Sequence, residues 1–388
     1  MIIPPKHAAV NWIDGMSVSH HNFLDTENYF IDSIRDTASV SVNTFNFGLL
    51  PPLKGSGAQL SSYEVSKTAT NQVQIRLHEC QAITSAGMRI SISGNEANVL
   101  SKSINLITEN KEGTAQEFSQ EYYYIIVIVQ PFERNPTGHP DPEEVPIRQP
   151  YTQPKYDIQV QSSNKVNIEE LGGYHLVIGR LIKIGDDFSK DENFIPPCST
   201  INSYSKLSHH YESIGIAIDD LQNLSLQIIG KINYKNQKSD IAQNIKTICR
   251  TIIDFSSRDY FYLRNIVHQQ PPIFLVSSIS SLANSLFTTI QSMPEKDKEE
   301  LLNYFFEWND LSPVTFLNHL SDIIEINYSH YQTGAYMKSI RQLLLSLVLV
   351  LQKLNTLEYI GQHKENIVVK EEVMVQSVKE RKGWSFLD

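Results

Sequence analysis

The spacing of apolar residues changes near residue 200, and that change restricts the chain to a mixed architecture with strands first and helices after. Upstream, Val73, Ile75 and Leu77 alternate with Gln74, Arg76 and His78. Past a Gly87 turn signal, Met88, Ile90 and Ile92 alternate with Arg89 and Ser91. A period of two predicts a hairpin with one buried face. Residues 122–129, YYYIIVIV, are too β-prone and too short for a core helix, and 174–184 reads the same way with Gly179 inside it. Both predict central strands of a sandwich.

Downstream the spacing becomes helical. Ile214, Ala217, Leu221, Leu224 and Ile228 form one stripe, and Ile241, Ile245, Ile248, Ile252 and Phe255 form a second. Leu275, Ile279, Leu282 and Leu286 give a third. Met337, Ile340, Leu344, Leu347, Leu351 and Leu354 give another. Ser239, Pro294 with Glu295, and Ser312 with Pro313 mark helix starts. The short links 236–238 and 269–272 predict antiparallel neighbours in a bundle. The helix from Met337 to Leu354 also carries Leu343, Leu345, Val348 and Val350, so it needs cover on more than one side, in part from other subunits.

Between the strand-like runs lies a proline-rich span, 131–154. Proline lacks the donor that a sheet ladder uses, so this span is not expected to be an interior strand. It reads either as an exposed loop or as an extended arm lying on a neighbouring subunit.

Composition narrows the function classes. A net charge of -10 gives no electrostatic reason to bind nucleic acid or anionic lipid. Cys80, Cys198 and Cys249 stand far apart without a CxxC pair, which indicates a reducing compartment and neither a zinc knuckle nor a disulfide framework. The N-terminus lacks a signal-peptide apolar core, and the longest apolar run, 343–351, is broken by Ser346, so no direct membrane insertion is expected. No GxSxG elbow, Walker loop, HExxH or dinucleotide fingerprint occurs. No catalytic, cofactor-binding or metal-ligating residue is therefore nominated. The pairs His20-His21 and His209-His210 are read as surface or interface histidines, because adjacent side chains rarely serve one ion.

One stretch carries a resemblance. Residues 12–29, WIDGMSVSHHNFLDTENY, place an aromatic, an acid-Gly-apolar step, a Phe, and an acid two residues before a Tyr, on Trp12, Asp14, Gly15, Met16, Phe23, Glu27 and Tyr29. This resembles the opening of the TssK family of type VI secretion baseplate adaptors. Asn22 stands where the family has His, His20-His21 where it has Pro-Gln, and Leu24, Asp25 and Thr26 where it has a Gln run. Residues 193–198, NFIPPC, are similar to the family's Ile-Pro-Pro handover from strands to helices, and 268–272, HQQPP, form a weaker match.

The resemblance implies an α+β chain: a β-sandwich shoulder over 1–200, an antiparallel helical-bundle neck over 201–310, and a helical C-terminal region with a short tail over 311–388. It implies a cytoplasmic homotrimer whose shoulder binds TssF/TssG-like wedge proteins and which reaches the inner membrane through membrane-complex partners. Trp12, Gly15, Met16, His20, His21, Phe23 and Tyr29 are the interface candidates, with Trp12 and Tyr29 leaning toward the shoulder core and Met16, His20 and His21 toward the interface. The tail holds one strand-like run, 367–378, and a basic stretch, 379–382, too little for the family's C-terminal head. The alternative is a receptor-binding protein of a phage-like contractile particle. An enzyme on a β-sandwich has no residues to nominate.

Overall fold

Alternation builds the first sheet around β3 (Val73–Ile83), whose Val73, Ile75 and Leu77 are buried while Arg76 faces out. β1 (Gly48–Leu49), β2 (Ser61–Lys67), β4 (Arg89–Ile92) and β5 (Leu100–Ile104) all pair antiparallel with it. The β3–β4 hairpin turns at Gly87, as the sequence predicts. In the computed structural model, residues 3–52, 61–68, 72–93, 99–104, 120–185, 187–309 and 312–363 are described.

The second sheet runs β7 (Tyr151–Ser162), β6 (Glu121–Thr137), β8 (His175–Ile184) and β9 (Asp187–Lys190), again antiparallel. Both expected central strands, β6 and β8, are flanked on two sides. Ile75, Leu77 and Ile90 of one sheet share a core with Ile125, Val127 and Leu176 of the other. The Tyr156 hydroxyl accepts from the Ser91 amide at 3.2 Å, tying the sheets together. Gly179 leaves room for Tyr63, whose hydroxyl would sit 2.3 Å from a Cβ there.

The proline-rich span needs correction. Only its middle, 138–150, is an exposed loop: β6 continues to Thr137 and β7 begins at Tyr151, so Pro131, Pro136 and Pro154 lie in strands. The physical reason is local. Beyond Ile128 the β6 ladder has, among the described residues, β7 as its only partner strand, a register shift between Gln130 and Arg134 takes up Pro131, and Pro136 pairs with Thr152. A strand with one neighbour tolerates a residue without a donor. The result is a two-stranded ribbon that leaves the sandwich and ends in residues 138–150.

The predicted stripes fall in α2 (Ser205–Tyr234), α3 (Asp240–Asn265), α4 (Pro272–Gln291) and α7 (Thr333–Thr356), and the predicted starts open α5 (Glu295–Asn309) and α6 (Pro313–Ile324). A further helix, α1 (His20–Ser39), precedes the strands and has no counterpart in the apolar periodicity. α2 ends in a left-handed Asn236, φ 47°, with the amides of Asn236 and Gln237 bonding back to Asn233 O and Ile232 O at 3.1 and 3.0 Å. That pattern satisfies the last carbonyls and reverses the chain into α3. Ser312 caps α6 by accepting from the Thr315 amide at 3.2 Å. Ser239 precedes α3, but its hydroxyl makes no cap bond.

α7 packs against α2, α4, α5 and α6, so this chain covers most of its circumference. Its Leu345 and Leu349 remain exposed. α4 and α7 are each long and apolar enough to cross a membrane by length and composition, and both contribute buried residues to the bundle.

Sandwich and bundle meet at a compact junction. The Leu49 amide donates to Pro197 O at 2.8 Å, and a Cβ on Gly48 would lie 2.1 Å from that same oxygen. His330, just ahead of α7, is buried with its Nε2 2.9 Å from Phe47 O and its Nδ1 3.0 Å from the Tyr328 hydroxyl. The double proline thus separates β9 from α2. The sequence segments 367–378 and 379–382 lie outside the described residues.

Candidate interface on the first helix

A helix docked on a protein normally turns its apolar side inward. α1 does the reverse. Its buried residues are Asp32, Arg35 and Ser39, while Phe23, Phe30 and Ile34 are 58%, 56% and 70% exposed. At about 100° per residue, Phe23, Glu27, Phe30 and Ile34 fall within about 60° of one another, forming one outward stripe.

Polar contacts hold the inner face. Asp32 Oδ2 accepts from the amides of Lys6 and His7 at 2.5 and 3.1 Å, and Asp32 Oδ1 accepts from Arg35 Nε at 2.9 Å. Burial pushes the Asp32 carboxyl up, but these amide donors and the guanidinium outweigh it and hold the carboxyl below its usual value. The terminal nitrogens of Arg35 are buried without a hydrogen-bond partner, and Nη2 lies 3.6 Å from Asp36 Oδ1. The turn between β3 and β4 supplies the seat. A Cβ on Gly87, which has φ +81°, would fall 2.6 Å from Ser39 N and 2.8 Å from Arg35 O.

The ribbon is tied to the other end of the helix. Arg134 of β6 donates to the Glu27 carboxylate, to Asn28 Oδ1 at 2.9 Å and to Leu24 O at 3.5 Å. Phe132 packs on His7, ring centroids 4.2 Å apart. At the ribbon tip Val145, Ile147 and Tyr151 are exposed.

The seven candidate residues distribute unevenly on this scaffold. Trp12 is 48% exposed with its ring 6.4 Å from that of Phe23, so it lies on the exposed side of α1 and its expected lean toward the core is corrected. Gly15, φ +81°, occupies the third position of a turn closed by Met16 N on Ile13 O at 3.3 Å, with open space around it. Met16 and Tyr29 are half-buried, whereas His20 and His21 are exposed in the first turn of α1 with their rings 5.9 Å apart. Asn22, where the family has His, accepts from the Ser19 amide at 2.8 Å and from the Ser19 hydroxyl at 2.9 Å, closing the helix start. None of the seven packs on the sandwich core.

Sequence reasoning missed Phe30, Ile34 and Arg134. The available signal was the Phe23, Phe30, Ile34 spacing behind a Ser-x-x-Asn start, hidden because the inward positions are Asp, Arg and Ser.

A second surface lies on the bundle. A groove of about 630 Å³ between α2, α3 and α4 is lined by Tyr211, Ile214, Gly215, Tyr260, Leu263 and Leu275 among others, with exposed Ile216 and Phe261 nearby. Among the described residues no group of three or more His, Cys, Asp or Glu is placed to hold a metal ion. The three thiols are buried and pushed up, Cys80 and Cys249 to about 12.

No family model matches the chain, and no curated protein matches its sequence significantly. Solved structures do match. A chain of the type VI secretion TssK–TssF–TssG baseplate subcomplex aligns at TM-score 0.50 and 12% identity over 88% of this chain and 99% of that one. A chain of the type VI secretion baseplate complex aligns at 0.50 and 12% over 87% and 99%. The crystal structure of TssK aligns at 0.47 and 17% over 86% and 69%. In its order of strands, junction and helices, the chain has a TssK-like fold.

Proposed function

We propose that this chain is a structural, non-enzymatic subunit of a type VI secretion baseplate, a homotrimer that uses the outward face of α1 to bind TssF/TssG-like wedge proteins in the cytoplasm. The observation that carries the reading is the reversed polarity of α1, which holds a buried Asp32–Arg35 pair inward and presents Phe23, Phe30 and Ile34 to the outside. Exposed aromatics supported by polar docking are suited to a partner's surface. Trp12 and Val18 extend the same apolar surface, with Met16, His20 and His21 around it. Gly15 sets the turn that brings Trp12 back over Phe23, and Tyr29 flanks the stripe, its ring 5.6 Å from that of Phe30.

The groove on α2, α3 and α4, together with Leu345 and Leu349 of α7, supports the trimer, since apolar surface of that kind is covered when copies of the neck stand side by side. Attachment to membrane-complex proteins would complete the role. The domain reading accompanies it: shoulder over 1–200, neck over 201–310, and a C-terminal helical region from 311.

The test replaces Phe30 with Asp. The variant is expected to melt as the wild type does and to lose wedge binding at least tenfold in a pull-down or titration against purified TssF/TssG-like proteins. Unchanged binding would remove α1 from the interface.

A further inference from the structure

Glu27 poses an electrostatic problem that the ribbon solves. It sits within the outward stripe, between Phe23 and Phe30, with its side chain 60% exposed. A partner that covers Phe23, Phe30 and Ile34 must also cover this carboxylate. Removing an ion from water without a counter-charge is strongly unfavourable, and an uncompensated buried charge weakens association far more than a missing contact does. Arg134 reaches the carboxylate from another element, 107 residues away in sequence, and is itself only 17% exposed. Asn28 and the Leu24 carbonyl accept from the same guanidinium, which fixes its position beside the stripe rather than on it.

We propose that Arg134 is a positioning and neutralising residue for the α1 interface: it compensates Glu27 before a partner arrives and holds the β6–β7 ribbon in register with the helix. The inference rests on the interface reading above. Its chemistry commits the partner segment to an apolar one without a basic residue opposite Glu27, since that position is already compensated. It also makes Arg134 essential to binding, whether or not the partner touches it.

The experiment is a double-mutant cycle with the full chain and purified TssF/TssG-like proteins. Arg134→Ala is expected to weaken binding roughly 10- to 100-fold, by leaving Glu27 charged and uncompensated. Glu27→Gln alone supplies the baseline of the cycle, with an effect expected to be smaller than that of Arg134→Ala. Glu27→Gln in the Arg134→Ala background should recover most of the loss. A purely structural role for Arg134 predicts no such recovery, and additive losses would overturn the proposal. If the wild type fails to bind the wedge proteins, the wedge reading falls, and the cycle is repeated with Nile red, a neutral apolar dye. Lower dye affinity in Arg134→Ala restored by Glu27→Gln sustains the neutralisation; equal affinity in all four proteins refutes it.

Discussion

His330 is a neutral imidazole at the point where sandwich and bundle are joined. Its Nε2–H donates to Phe47 O and its Nδ1 accepts from Tyr328, an arrangement that needs one proton on the ring and not two. Burial lowers its pKa to about 4, with the backbone contacts to Phe47 and Cys198 acting against the shift. The unfolded ring takes up a proton near pH 6.5, the folded ring only near 4. Between those values the unfolded state binds more protons, so stability present above pH 6.5 is lost as pH falls toward 4. The full effect is about 3 kcal/mol. Urea midpoints at pH 7 and 4.5 are expected to converge in His330→Gln relative to wild type; parallel losses in both would assign the acid sensitivity to carboxylates instead.

Among the elements, α1 depends on a glycine that belongs to a different one. Gly87 has positive φ and touches the backbone of Arg35 and Ser39, so a methyl group there both strains the turn and lifts the helix off its seat. Gly87→Ala is expected to cost about 2 kcal/mol or more and to raise hydrogen exchange over residues 20–39 while α2–α7 keep their protection. Exchange unchanged over α1 would mean that the helix rests on its N-terminal contacts alone. The same helix shows where the sequence ceases to be readable. β3, β4, β6, β8 and the helices α2, α3, α4 and α7 announce themselves because they bury apolar residues at fixed periods, whereas α5 and α6 show only their start signals. α1 buries Asp32, Arg35 and Ser39, so a search for apolar periodicity passes over it. The ribbon was obscured for a related reason: proline content speaks against a strand unless one knows that the strand has a single partner there, and partnership is a tertiary fact. All seven candidate residues are exposed or half-buried, and the short motif that names them also encodes the Gly15 turn and the Asn22 cap. Arg134 lies too far along the chain for any local pattern to connect it with Glu27.

For the molecule as a whole, the neck groove makes a prediction about assembly. Ile216 is 65% exposed beside the groove, and Gly215 leaves open space next to it. If the proposed trimer forms through this groove, replacing Ile216 with Asp should shift the mass measured by light scattering at micromolar concentration from trimer to monomer. A trimeric mass in the variant would move the contact elsewhere. β6 gives the assembly a further property. One 17-residue strand is both the middle of the second sheet and the base of the ribbon. A load applied along the ribbon is therefore carried in shear, across many ladder bonds at once, whereas a sideways load would peel them apart in sequence. An optical trap pulling at residue 145 should therefore meet its greatest resistance along the ribbon.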